Sequence, residues 1–314
     1  MKHTIIIAEA GVNHNGSPEM ARRMIREAAA AGADYVKFQT FRAERLVSAS
    51  AKKADYQRRN CGGDDDSQLA MLKALELSDA DFAMLAAECR DVGIGFMSTP
   101  FDMESIDSLS SIGMDYWKIP SGEITNLPYL RKIASKGGKA ILSTGMSTMA
   151  EAEAAVAVLE QAGIPRGNII VLHCTTQYPA PLTSVNLLAM NTLRALGCAG
   201  VGYSDHTDGI TVAVAAAAMG AVVVEKHFTL DRSLPGPDHK ASLTPLQLKE
   251  MVEAIRAVDA AMGTADKAVT DVERPNIAVA RKSIVAARDI QAGEMFTEDN
   301  LTCKRPGAVL SPMK

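Results

Sequence analysis

Short apolar runs recur along the chain, and each stops on charged or hydrogen-bonding residues. They read TIIIAEAG from Thr4, YVKFQT from Tyr35, IGFMSTP from Ile94 and YWKIPSG from Tyr116. The pattern continues with KAILSTGM from Lys139, IIVLHCTT from Ile169, AGVGYSDH from Ala199 and VVVEKHFT from Val222. Most are followed by an alanine-rich stretch at helical spacing. About eight strand-like runs alternating with helices predict an α/β fold closed as a (β/α)8 TIM barrel. In such a barrel the strand C-termini converge on one face, and that face holds the chemistry. The polar endings Glu9, Lys37, Thr99, Lys118, Ser121, Ser143, Thr176, Ser204, His206, Glu225 and His227 are therefore expected to share one pocket.

Ser17-Pro18 is a cap followed by proline, which starts a first helix running to about residue 31, before Gly32. Later helices fit the windows 79–92, 103–112, 127–135, 149–162, 185–196, 209–219 and 244–262. Residues 46–78 interrupt the alternation. Their polar, glycine-containing stretch RRNCGGDDDS predicts a long loop or mobile lid over the pocket. After Gly263, TADKAVTDVERPN has the composition of a linker. The expected organisation is a catalytic barrel over 1–264, a linker over 265–280 and a small β appendage over 281–314.

A chain of 314 residues with 47% hydrophobic content matches one barrel of about 250 residues plus an appendage. No run reaches the roughly 20 apolar residues of a membrane-crossing helix. The short apolar stretch after Met1 breaks at Glu9 without a cleavage-like tail, so no signal peptide is expected. A formal charge of −4, with no basic stripe, argues against nucleic acid and membrane surfaces as partners. The five cysteines (Cys61, Cys89, Cys174, Cys198 and Cys303) form no CxxC pair and read as reduced thiols of a cytoplasmic protein.

Lys37 and Lys118 end hydrophobic strands. A buried ammonium costs several kcal/mol unless paired, so two of them facing one cavity call for a carboxylate or an anionic ligand. The hydroxyls Thr99, Ser121, Ser143 and Ser204 suit phosphate or carboxylate oxygens. No Walker loop or GxGxxG is present, so a nucleotide is not indicated. His206 and His227 fall on neighbouring strands, either as a labile divalent-ion pair or as two satisfied histidines; Asp205 and Glu225 are candidate supporting partners. Glu9 is the candidate acid, base or water-orienting group, or else an ion-pair partner for the lysines. His14 and Asn15 follow as possible substrate contacts, while His173 reads as structural and His3 as exposed.

Taken in order, AEAGVNHNG, VKFQTF, STPFD, WKIPSGE, STGM, HCTTQYPAP, GYSDHT, EKHFTLD and GPDHKAS resemble the bacterial sialic acid synthases, meaning the N-acetylneuraminate and legionaminate synthases. The resemblance implies a barrel followed by an antifreeze-like (SAF) domain, incomplete here to judge from the end at Lys314. It implies condensation of phosphoenolpyruvate with the open-chain aldehyde of an N-acetylmannosamine-type sugar, giving a nine-carbon α-keto acid (N-acetylneuraminate) and phosphate. Phosphoenolpyruvate would be held by Lys37, Thr99, Lys118, Ser121, Ser143 and Ser204. His206 and His227 would hold Mn2+ or Mg2+, and Glu9 would handle the attacking water. Tyr178 and Asp238 match sugar-contacting positions, and Glu225 belongs to the same substrate-binding set. Arg305 matches a residue that reaches into the partner's site of a domain-swapped homodimer. Thr175 and Thr176 stand where many N-acetylneuraminate synthases carry asparagine, which leaves the Thr176 phosphate contact open. The HCTTQYPAP form is nearer the legionaminate synthases, whose acceptor is 2,4-diacetamido-2,4,6-trideoxymannose. Two other classes fit the same residues. A Schiff-base pyruvate aldolase on Lys37 or Lys118 would be trapped by borohydride, and a sugar-phosphate sensor would bind without releasing phosphate.

Overall fold

Eight parallel strands form the core of the molecule: β1 (Ile5–Gly11), β2 (Tyr35–Thr40), β3 (Gly95–Pro100), β4 (Trp117–Ile119), β5 (Ala140–Ser143), β6 (Ile169–Cys174), β7 (Gly200–Asp205) and β8 (Val223–His227). The structure is a computed structural model describing residues 3–61, 66–307 and 310–313, with the side chains at 56 and 59 excepted. The ladder runs β3-β2-β1-β8-β7-β6-β5-β4, and its two ends, β3 and β4, lie side by side to make a nearly closed barrel. The chain divides into two compact units, Met1–Gly263 and Thr264–Lys314.

Strand alternation sorts the residues. One parity places Ile6, Ala8, Val36, Phe38, Leu142, Val171 and Val224 in the layer between strands and helices. The other places Ile7, Met97, Ile141, Ile170, Leu172 and Val223 inside the barrel, where they fill its lower half. Gly202 lies opposite Leu172 in this interior. A Cβ there would meet Val223 O at 2.4 Å and Leu172 Cδ2 at 2.6 Å, so only glycine fits.

The surrounding helices are α1 (Pro18–Ala30), α2 (Ala43–Leu46), α3 (Asp55–Cys61), α4 (Gln68–Leu75), α5 (Asp79–Val92), α6 (Met103–Ile112), α7 (Leu127–Ser135), α8 (Met149–Gln161), α9 (Ala189–Leu193), α10 (Thr211–Ala218) and α11 (Pro245–Ala261). Their starts are written in local chemistry. Ser17 caps α1 ahead of Pro18, and capping boxes open α5 (Ser78/Asp81), α8 (Thr148/Glu151) and α11 (Thr244/Gln247).

Two sequence expectations change. Residues 46–78, expected as a loop, contain α3 and α4. Both helices are short and carry no regular apolar stripe, so periodicity does not show them. The segment does cover the pocket, as expected; its residues 62–65 lie outside those described. The helix expected over 185–196 is reduced to α9 between two 3-10 turns, because Asn186 adopts a left-handed φ of 47° that a continuing helix excludes.

The second unit holds α12 (Arg274–Ala280) and the antiparallel pair β9 (Ser283–Ala286) and β10 (Leu301–Lys304). No helix among the described residues is long and apolar enough to cross a membrane.

Candidate active site

The parity that fills the barrel with Ile7, Met97, Ile141 and Val223 continues two residues further along each strand. It then delivers Glu9, Thr99, Ser143 and Glu225 to the upper half of the same interior. With Lys37, Lys118, Ser204, His206 and His227 they line a cavity of about 440 Å³. The β7–β8 register sets Ser204 beside Glu225 and Asp205 beside Lys226, on opposite faces of the sheet.

The floor is a compact charge network. Lys37 Nζ lies 2.6 Å from Glu9 Oε2 and 3.5 Å from Glu225 Oε2, and donates to Thr99 Oγ1 at 3.0 Å. Lys118 Nζ lies 3.2 Å from Glu225 Oε1 and donates to Ser143 Oγ at 3.0 Å. Glu225 Oε1 also accepts from Ser204 Oγ at 2.9 Å, so this one carboxylate serves both lysines. Burial opposes its charge, yet Lys118 and Lys37 outweigh burial and hold Glu225 below the usual carboxylate range. Glu9 behaves oppositely: burial, reinforced by Glu225, pushes it up despite Lys37. Burial lowers Lys118, with Lys37 adding to the effect; at Lys37 the carboxylates of Glu225 and Glu9 more than offset burial. Two adjacent carboxyls thus have opposite proton preferences.

Gly145 closes the anion side. Its N–H donates to Ser121 Oγ at 2.9 Å, and a Cβ there would meet Thr176 Cγ2 at 2.6 Å and Ser121 Oγ at 2.8 Å. The backbone approach that brings Ser121, Thr176 and Cys174 together therefore requires glycine.

Above the floor, the rings of His206 and His227 lie 5.6 Å apart, and the Tyr178 ring packs 4.2 Å from His206 and 5.7 Å from His227. Thr175 O can only accept, so His206 Nδ1 donates to it at 2.7 Å, leaving the Nε2 lone pair toward the cavity. His227 Nδ1 is buried without a hydrogen-bond partner in the structure. Burial lowers His206 to about 4 and drives His227 well below its ordinary value, so both imidazoles are neutral at physiological pH. Asp205 does not support them as expected. It faces away from the cavity, pairs with Lys226 at 2.8 Å and accepts from Thr207 N and Oγ1.

Asp238 reaches the cavity from the loop after β8. Burial first, then the nearby Glu9, raises its carboxyl to about 7. That loop is clamped by the segment after β1. Asn13 donates to Phe228 O and Ser242 Oγ, Asn15 Nδ2 donates to Pro235 O, and Asn15 Oδ1 lies 3.1 Å from His239 Nε2. His14 accepts from Gly16 N and is fully buried. His14 and Asn15, expected as substrate contacts, are thus structural, as is His173, whose Nε2 lies 2.7 Å from Val185 O. His3 is exposed and pairs with Asp34.

Burial lowers both His14 and His239 to about 4. Between that value and about 6.5 the unfolded chain binds protons that the folded chain does not. The contribution of these two histidines to stability is therefore full above about pH 6.5 and is lost as pH falls toward 4. Thermal unfolding followed from pH 7 to 4.5 is expected to show a falling midpoint, with a shallower slope in His14→Gln; equal slopes would remove His14 from this account.

Thirteen of the sequence-expected site residues line the cavity: Glu9, Lys37, Thr99, Lys118, Ser121, Ser143, Thr176, Tyr178, Ser204, His206, Glu225, His227 and Asp238; Asp205, His14 and Asn15 do not. Arg305 is exposed and belongs to the second unit. Sequence reasoning missed Gln39, Gln57, Gln68, Cys174 and an apolar wall that includes Leu46, Met71 and Phe101. Gln39 was findable, since it sits two residues past Lys37 on the same strand face and donates to Glu9 Oε1 at 3.2 Å. The wall carried no such signal, because it is built from the interrupting segment.

Residues 24–267 match the NeuB family, and residues 281–314 match the SAF domain. The chain is 52% identical over 314 residues to the N,N'-diacetyllegionaminic acid synthase of Campylobacter jejuni, covering 100% of this chain and 94% of that protein. It is 46% identical over 312 residues to the N,N'-diacetyllegionaminic acid synthase of Legionella pneumophila, covering 98% and 86%. Among solved structures, the N-acetylneuraminic acid synthetase of Leptospira borgpetersenii matches with a TM-score of 0.76 at 33% identity, covering 87% of this chain and 90% of that one.

Proposed function

The chain belongs to the NeuB family, with a (β/α)8 barrel followed by a SAF domain, and on that basis we propose that it condenses phosphoenolpyruvate with 2,4-diacetamido-2,4,6-trideoxymannose, releasing phosphate and N,N'-diacetyllegionaminate. N-acetylmannosamine, the acceptor first expected from the sequence, is the second choice, because the two relatives described above, at 52% and 46% identity, are named for the legionaminate product. The observation that carries the reading is the pair of buried lysines sharing Glu225 beneath two neutral imidazoles.

Lys37 and Lys118 take the anionic groups of phosphoenolpyruvate, with Thr99, Ser121, Ser143, Thr176 and Ser204 as hydroxyl partners. An anion that draws Lys37 away from Glu9 removes the charge that opposes burial at this carboxyl, so its affinity for a proton rises as substrate arrives. In the reaction, C3 of phosphoenolpyruvate bonds to the sugar's carbonyl carbon, water adds to C2, and the C2–O bond to phosphate breaks. Glu9, its proton affinity raised by burial, orients that water and accepts the proton it loses on adding to C2. Glu225 stays ionised, keeps both ammonium groups aimed into the cavity and opposes the positive charge that develops at C2. Tyr178 and Asp238 lie on the acceptor side, where an Asp238 carboxyl near 7 can donate to a sugar oxygen.

The imidazole pair fits a divalent ion, Mn2+ or Mg2+. Both rings are neutral, His206 presents Nε2, and His227 keeps a buried nitrogen without a partner. Among the described residues no cluster of three or more His, Cys, Asp and Glu comes together there, so His206 and His227 would be the protein groups that hold the ion. When bound, it supplies Lewis-acid polarisation of the aldehyde oxygen. Arg305 is proposed to act across subunits, from the second unit of one chain in a domain-swapped homodimer to the barrel of its partner.

The test is phosphate release from phosphoenolpyruvate with Mn2+ and each sugar. Release is expected with both, faster with the diacetamido sugar; none from folded protein with either sugar would sink the assignment. Mixing Arg305→Ala protein with Glu9→Gln protein should restore part of the release, whereas continued silence would remove the cross-subunit role.

A further inference from the structure

The cavity has two chemically different halves. The floor is charged: Lys37, Lys118, Glu9 and Glu225 arrive from the strands and are bound to one another. The side over β2 and β3 is apolar and comes from outside the barrel: Leu46 and Val47 at the end of α2, Met71, Leu72 and Leu75 of α4, and Phe101 after β3. These residues belong to a hydrophobic cluster separate from both barrel cores, with Leu72 and Leu75 buried in it. An apolar surface facing a cavity that binds polar substrates keeps that face unhydrated only if an apolar part of a ligand covers it.

The proposed acceptor, on which this inference rests, supplies such a part. Phosphoenolpyruvate and the reacting aldehyde are the same for both candidate acceptors, so the floor cannot tell them apart. They differ at the far end of the open chain, where the diacetamido sugar carries a C6 methyl and a C4 acetamido group and N-acetylmannosamine carries hydroxyls. The carboxamides of Gln57 and Gln68 border the wall and match an acetamido group in polarity without adding charge. Among the described lining residues the only lysines and arginines are Lys37 and Lys118, both held by carboxylates on the floor. Among this chain's described residues the wall therefore presents no cation to a sugar 6-phosphate.

We infer that the α2–α4 wall is the specificity element of this enzyme. It accepts a neutral acceptor whose distal end bears methyl groups, and it discriminates against a C6 hydroxyl and more strongly against a C6 phosphate. An apolar wall rejects an added hydroxyl by no more than about a hundredfold, so the discrimination against N-acetylmannosamine is graded. A dianion placed on that wall is desolvated without a partner, and the rejection is steeper.

The experiment measures kcat/KM by phosphate release for the diacetamido sugar, N-acetylmannosamine and its 6-phosphate, in the wild-type chain and in Leu72→Asn, Met71→Gln and Leu46→Gln. Met71 and Leu46 are only partly buried, so their variants keep the test open if Leu72→Asn fails to fold. The ratio of diacetamido sugar to N-acetylmannosamine is expected to fall about tenfold in each folded variant, with KM for phosphoenolpyruvate within twofold of wild type. An unchanged ratio in folded Met71→Gln and Leu46→Gln would overturn the inference and leave the proposed reaction standing. Equal use of the 6-phosphate by the wild type would overturn it too. No phosphate from any of the three sugars would instead remove the proposed reaction, and this inference with it.

Discussion

Replacing Lys118 or Lys37 with methionine is expected to lower kcat/KM for phosphoenolpyruvate by about a thousandfold. The magnitude follows from Coulomb's law. A unit charge pair at 4 Å in a medium of effective dielectric near 20 is worth about 4 kcal/mol, close to three orders of magnitude. The floor as it stands balances two ammonium groups against Glu9 and Glu225. Removing one lysine takes away one of the two cations that a multiply charged anion would meet. The same substitution orphans part of a buried carboxylate, which costs about 3–5 kcal/mol of stability, so the variants must be checked by thermal unfolding. The double variant Lys118→Met/Glu225→Gln separates the two effects. It restores charge balance, and stability should recover, but it does not restore a cation for the substrate. Recovery of wild-type phosphoenolpyruvate affinity in that double variant would show that Lys118 serves the fold rather than the anion.

Replacing His206 or His227 with alanine is expected to cost a factor of about 100 or more in kcat, and to abolish Mn2+ binding measured as loss of the free-ion paramagnetic resonance signal. The two rings are 5.6 Å apart and present neutral nitrogens, so removing either leaves a single donor. Since His206 does not take up a proton until pH falls to about 4, Mn2+ binding should be flat between pH 6 and 8. Wild-type protein that keeps its full rate after exhaustive chelation would exclude a metal role for the pair. In that case His206 would remain as a hydrogen-bond donor that orders Thr175 through its carbonyl.

Much of the floor was legible before any coordinates. A parallel strand buried on both faces reads as a continuous apolar run, so a lysine, glutamate or histidine at its C-terminal end is conspicuous. That is why Glu9, Lys37, Lys118, His206, Glu225 and His227 could be placed in one pocket from spacing alone. Asp205 shows where this stops. It ends a strand as they do, yet it is one residue out of phase, and parity sends it to Lys226 behind the sheet. The strand endings could be located from composition, but the face each one takes depends on register. His14 was misread because a histidine in a polar loop and a histidine packed beneath that loop look the same in sequence.

The amino-acid order by itself determined the barrel, the helix starts and the residue types gathered at its rim, because these depend on local periodicity and capping within a few residues. Only the tertiary structure decided that Glu225 serves both lysines, that Asn13 and Asn15 clamp the loop carrying Asp238, and that α2 and α4 wall the cavity. Each of these joins residues distant in the chain, where no local rule operates and packing alone sets the neighbours.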